Sequence, residues 1–130
     1  MLTEGLVALL LGNSGIVAAV GDRIQPPPAP DDLTLYPCIT VESPSEVSEM
    51  GGSGPAGVAE SRVIFKCFAL RKLDARNLAF LVKGLLNGYT GTLPDSTLVF
   101  LIKQANLADH FEDGSRTYCT SFHAWVQYAD

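Results

Sequence analysis

Two stretches of this chain alternate residue by residue over a length that only a β-sheet satisfies. In Ala59–Leu70, Val63, Phe65, Cys67 and Ala69 fall on one side and Arg62, Ile64, Lys66 and Phe68 on the other. In Arg116–Tyr128, Tyr118, Phe122, Ala124, Val126 and Tyr128 share one side, opposite Thr117, Cys119, Ser121, His123, Trp125 and Gln127. Successive side chains of a strand point to opposite faces, so each stretch is predicted as a strand with an apolar face and a mixed one. In the first, both faces carry bulk. That predicts a strand covered on one side and in contact with something on the other. Trp125, between His123 and Gln127, is the kind of amphipathic aromatic that anchors interfaces. A helix covering it is the alternative.

The other segments arrange themselves around these strands. Leu2, Leu6, Val7, Leu9, Leu10 and Leu11 fall mainly on one side of a helical wheel, predicting a helix over Thr3–Leu11 capped by Thr3. Gly12-Asn13-Ser14-Gly15 interrupts it, and Ile16–Val20 adds a further helical turn closed by Gly21. Pro26-Pro27-Pro28-Ala29-Pro30 predicts a stiff, extended surface connection. Cys38–Glu42, just after Pro37, alternates as a strand. Ser43–Gly57, rich in glycine and holding Pro44 and Pro55, predicts a long mobile loop. Ala75, Leu78, Ala79, Leu81, Val82, Leu85 and Leu86 give the clearest helical repeat, with Asp74 as its cap and Gly88 at its left-handed end. Leu98–Lys103 reads as a strand and Ala108–Ser115 as a polar turn. The order is helix, strand, loop, strand, helix, strand, strand. It predicts one α+β domain over residues 1–130, a mainly antiparallel sheet with two helices packed on one face.

A chain of 130 residues, 47% hydrophobic, has apolar material for a core without metal or disulfide. The odd set Cys38, Cys67 and Cys119 lies in apolar, strand-like stretches and is predicted as buried reduced thiols. Net charge is −5, and the nine Lys and Arg are scattered singly. Sequence-independent DNA binding needs clustered cations, so a DNA-gripping role is disfavoured. The longest apolar run, Leu6–Leu11, is short of a bilayer span, and the acidic Met-Leu-Thr-Glu start does not resemble a secretory signal. Assembly in a cytoplasm is the expectation.

Chemistry finds little foothold. The glycines from Gly51 to Gly57 lack the Lys-Ser or Lys-Thr and the helix that a phosphate loop needs. Cys119 and His123, four residues apart on one strand, are about 13 Å apart by strand rise, too far to share a metal. Ser121 and His123 are about 6.6 Å apart on the same basis, beyond the reach of a nucleophile and its base. His110, Glu112 and Asp113 read as a solvated turn, and the pairs Asp31-Asp32 and Glu46 with Glu49 fall in loops where acidity stays ordinary. No catalytic, cofactor-binding or metal-binding residue is expected, and the chain is read as a structural protein.

Taken together, the segments resemble the small tail-completion family of phage and prophage proteins. The likeness runs through Gly15-Ile16-Val17-Ala18-Ala19-Val20-Gly21-Asp22-Arg23-Ile24, then Tyr36-Pro37-Cys38-Ile39-Thr40-Val41 after a proline-containing link. It continues in Ala59–Ala69, in the helix ending Leu85-Leu86-Asn87-Gly88-Tyr89-Thr90-Gly91-Thr92, and in Arg116–Val126. The long link Gln25–Leu35 departs from the pattern. The resemblance implies a virion protein that forms a ring, typically a hexamer, on the head-proximal end of the tail tube. There it ends tube polymerisation and offers a docking face to the head connector or stopper, while DNA passes through its lumen. A ring of this kind needs two different faces per subunit. The candidates for contact with a neighbour or the tube are Glu46, Glu49, Met50, Gly51, Gly52, Arg62, Lys66, Phe68, His123, Trp125 and Gln127. Glu42, Glu46 and Glu49 are the candidates for an acidic rim or lumen. The alternatives are another neck component, such as a head-completion or stopper protein, and a small ligand-binding domain with a concave pocket.

Overall fold

The two long alternating segments lie side by side at the centre of one six-stranded sheet, ordered β1-β2-β3-β6-β5-β4. The computed structural model describes residues 2–30, 32–47, 58–112 and 117–129. Strand β3 (Val58–Ala69) pairs antiparallel with β6 (Thr117–Ala129) along its whole length, from Val58 opposite Ala129 to Ala69 opposite Tyr118. Strand β2 (Cys38–Val47) flanks β3, and β5 (Leu98–Glu112) flanks β6, both antiparallel. Two dipeptide strands finish the edges. The first, β1 (Ile24–Gln25), runs parallel to β2, and β4 (Gly91–Thr92) runs antiparallel to β5. The α+β class and the mainly antiparallel sheet are as the sequence predicts.

Three helices cover one face: α1 (Leu2–Leu11), α2 (Ser14–Val20) and α3 (Lys72–Leu86). The register brings Val41, Phe65 and Phe122 into one row of that face. The two rings stack with centroids 5.1 Å apart. Leu6 and Leu10 of α1, Ile16 and Val20 of α2, and Ala79, Val82 and Leu86 of α3 are buried in the same core. Each large side chain withdrawn from water here contributes on the order of 2 kcal/mol. Two polar contacts tie α3 to the sheet: the Lys83 ammonium lies 5.7 Å from the Phe122 ring centre, and Gln104 Nε2 donates to the Lys83 carbonyl at 3.1 Å. The Asn13 side chain accepts from the Ile16 amide at 3.0 Å, capping α2, so the turn residues between α1 and α2 start a helix as well as ending one.

Several boundaries differ from the sequence reading, each for a local reason. Helix α1 begins at Leu2, which places Thr3 inside its first turn rather than at its cap. Helix α3 begins at Lys72 after Arg71, so Asp74 complements the helix dipole in the first turn instead of capping it. Gly88 does take the left-handed conformation expected of it, with φ +70°. The predicted loop from Ser43 is strand as far as Val47, because a β-bulge between Glu42 and Ser45 accommodates Pro44. Residues 48–57 of that loop lie outside the described residues. The predicted polar turn from Ala108 is strand through Glu112, carried past a second irregularity between Ala105 and Ala108. The proline run bends instead of extending: Gln25 Nε2 donates to the Pro28 carbonyl at 3.2 Å, and a 3-10 turn follows at Leu33–Leu35. Among the described residues no single helix is long and apolar enough to cross a membrane; α1 and α2 together pass by length and composition but are bent by 89°.

Candidate interaction surface

Because the helices occupy one face, strand alternation leaves the other to the mixed set of side chains. Across it run rows of paired positions: Arg62, Trp125 and Lys103; Ile64, His123 and Ala105; Lys66, Ser121 and Ala108. Glu42 joins opposite Ile64, and Gln127 opposite Glu60, to which its Nε2 donates at 3.4 Å. Arg62, Lys66, His123, Trp125 and Gln127 are all half-buried. Five of the sequence's candidates thus share one side of the sheet. No described helix covers Trp125; its ring neighbour is His123, with centroids 5.9 Å apart.

One end of this face is closed. Tyr36, Cys38, Phe68 and Cys119 form a second, smaller core with Ala29 of the proline link packed against it. The Tyr36 ring meets Phe68 edge-on at 6.3 Å, and its hydroxyl donates to the Pro30 carbonyl at 2.7 Å. Phe68, expected among the contact residues, is thus covered by the chain's own link. The long link Gln25–Leu35 has a structural use here: it caps one end of the sheet.

The uncovered remainder has unmet hydrogen-bonding capacity. Arg62 Nε and His123 Nδ1 are both shielded from solvent and have no hydrogen-bond partner among the described residues. A buried polar atom left so costs about 1–3 kcal/mol in the single subunit. Its charge is mixed: Arg62, Lys66 and Lys103 stand among Glu42 and Glu60. Glu46 is strand, paired with Ser61, a helix-side position, whereas Glu42 is paired with Ile64 on the uncovered side. The register separates these two candidates for an acidic rim. Glu49, Met50, Gly51 and Gly52 lie outside the described residues.

The groups with chemical potential are held in unreactive settings. Cys38, Cys67 and Cys119 are free and buried, as expected. Burial pushes the Cys38 thiol up to about 11 against a smaller pull from Arg23, and burial, reinforced by Cys119 and Cys38, raises Cys67. Neither supplies a thiolate at neutral pH. The Asp32 carboxylate is held below its ordinary range by the Thr34 amide and hydroxyl, which it caps at 2.9 and 2.8 Å. Asp109 accepts from Thr120 at 2.7 Å and lies 3.7 Å from Arg76. Among the described residues no three His, Cys, Asp or Glu side chains gather as metal ligands.

Two features escaped the sequence reading. An apolar groove of about 520 Å³ opens between α1 and the β1–β2 edge, lined by Val7, Leu11, Ile24, Pro26 and Val41 among others. Among the described residues the sheet edges are also largely bare: β1 covers only Ile39 and Thr40 of β2, and β4 covers only Leu98 and Val99 of β5. Neither could be read from local pattern, since both depend on which strands end up outermost.

No family model matches the sequence, and no curated protein matches it. Among solved structures, the fold is similar to a chain of the virion of the native gene transfer agent particle. The TM-score is 0.73 at 12% identity, over 99% of this chain and 95% of that chain. At that identity the likeness is one of fold, and it extends from end to end.

Proposed function

We propose that this chain is a structural virion protein that forms a ring on the head-proximal end of a phage-type tail tube. The ring ends tube polymerisation and joins the tail to the head. The observation that carries this reading is the end-to-end likeness of fold to a chain of a virion particle. The tail-completion resemblance of the sequence supports it independently, because it rests on segment order rather than on backbone shape. The uncovered sheet face also fits a protein whose work is contact: it offers half-buried Arg62, His123 and Trp125 in place of a catalytic constellation. The partners are further copies of the chain, most simply six, the tail-tube protein on one side of the ring and the head connector or stopper on the other. DNA crosses the lumen without specific binding, and of the three acidic candidates Glu42, on the uncovered side of the sheet, contributes acidity there. The particle is the site of action, after assembly in the bacterial cytoplasm.

Negative-stain imaging of the purified chain, alone and with short tail-tube assemblies, tests the reading. Rings, free or seated on one end of each tube, are expected. Binding to portal rings in preference to tubes would move the protein to another position in the neck, and indifference to both would overturn the assignment. The acidic lumen has its own test: replacing Glu42 with Lys leaves rings intact but lowers DNA delivery. Unchanged delivery would remove that part of the proposal.

A further inference from the structure

The groove beside α1 is apolar apart from one acid. Val7 and Leu11 of α1 form one wall, Ile24, Pro26 and Val41 the other, and the charged residue lining it is Glu4. Glu4 is exposed and has no ion pair among the described residues. Ile24 and Val41 belong to the helix-side core, so the groove opens on that side of the sheet edge. Glu42, the next residue of β2, adds an acid to the same edge on its uncovered side. A fitting occupant is an apolar side chain that stands clear of its own surface with a cation beside it.

The chain has such a feature in Leu70-Arg71-Lys72-Leu73, the corner where β3 passes into α3. Leu73 is 67% exposed, more than any other large hydrophobic among the described residues, and Leu70 is 48% exposed. Arg71 and Lys72, between them, are exposed and have no ion pair among the described residues. The acids close to this corner are engaged by their own chain. Asp74 complements the dipole in the first turn of α3, and Asp109, which shares a small hollow with Lys72, is held by Thr120 and Arg76. Glu112 ends β5, two strands across the sheet from Leu70. Within one chain the corner does not reach the groove. Val41 pairs with Phe65, and Leu70 lies five residues further, about 16 Å along the strand. The match is therefore between copies.

We infer that the Leu70–Leu73 corner of one copy seats in the α1 groove of the next, with Leu73 against Val7 and Leu11 and with Arg71 and Lys72 toward Glu4. The inference rests on the ring reading above and names one of its contacts, which acts beside the uncovered sheet face. The two surfaces are unlike, as a head-to-tail ring requires. Charge reversal tests the match in sedimentation velocity of the full chain. Glu4→Lys on the groove side, or Arg71→Glu with Lys72→Glu on the corner side, turns an attraction into a repulsion and should weaken association roughly tenfold or more. Leu73→Ser probes the corner without a charge change and should give a loss of the same order. All these positions are exposed, and unchanged thermal midpoints establish that the variants fold. Combining the three reversals in one chain restores the attraction and should return association to within about threefold of the wild type. An oligomer that survives either reversal, or a combined variant as weak as its parents, overturns this contact while leaving the ring reading standing. If the wild type assembles only on tube ends, the same variants are read there by negative stain against the same expectations. A wild type that forms no ring, alone or on tubes, overturns both.

Discussion

On the helix side of the sheet, Phe65 and Phe122 stack in complete burial. On the other side of the same two strands, their neighbours Arg62 and Trp125 remain half-exposed, and Arg62 and His123 hold polar atoms with no partner among the described residues. The strands are shared, so the contrast arises from alternation alone. From Phe122 to Gln127, even-numbered positions of β6 go to the core and odd-numbered ones do not. A protein that had only to fold would place short polar residues on the second face. This one places Trp, His, Arg and Ile there, which is expensive to leave wet and useful to cover. On the proposed function, stability and assembly fall to opposite faces of one sheet.

Substitutions can break this division in order of size. Phe122→Ala removes half of the buried stack and should destabilise the monomer by about 3–5 kcal/mol, measured by urea unfolding. A loss under about 1 kcal/mol would mean that the helix face is not the principal core. Alkaline pH acts next. The Cys38 thiol ionises at about 11 in the folded chain against 9.0 ordinarily, so the unfolded chain loses its proton first as pH rises. Stability from this group is complete below about pH 9 and should fall by on the order of 2 kcal/mol by pH 11. Cys38→Ser at the same pH should lessen that decline, and the buried Cys67 thiol, also raised, accounts for a further part of it. Asn13→Ala deletes the α2 cap and should cost about 1 kcal/mol without touching assembly. Trp125→Ala sharpens the comparison from the other side. It should change monomer stability least, by under about 1 kcal/mol, while weakening self-association by tenfold or more, as removal of a buried aromatic anchor does.

Much of the core was legible because it obeys simple periods. The alternation in Val63, Phe65 and Cys67 and the helical spacing of Leu78, Val82 and Leu86 fixed which face each would bury, and the structure follows both. What escaped was whatever broke a period or joined distant segments. Pro44 ended the readable alternation of β2, yet a bulge carries the strand past it to Val47. The irregularity between Ala105 and Ala108 interrupted β5 in the same way and made its outer half look like a turn. Phe68 sits on the uncovered side by parity alone, and only the return of the proline link over Tyr36 explains why it is buried. The candidate surface was half legible: its members could be grouped by parity, but the bare edges and the α1 groove follow from strand order, which no local pattern encodes.

The central claim is that the uncovered face and its edges exist for association and the helix face for folding. Native mass spectrometry of the wild-type chain beside Trp125→Ala, at matched concentration and with thermal midpoints recorded for both, tests it most directly. The account predicts one closed oligomer for the wild type and predominantly monomer for the variant, with midpoints nearly equal. A wild-type chain that stays monomeric both alone and with tail-tube assemblies, or a variant that loses its fold together with its partners, would contradict it.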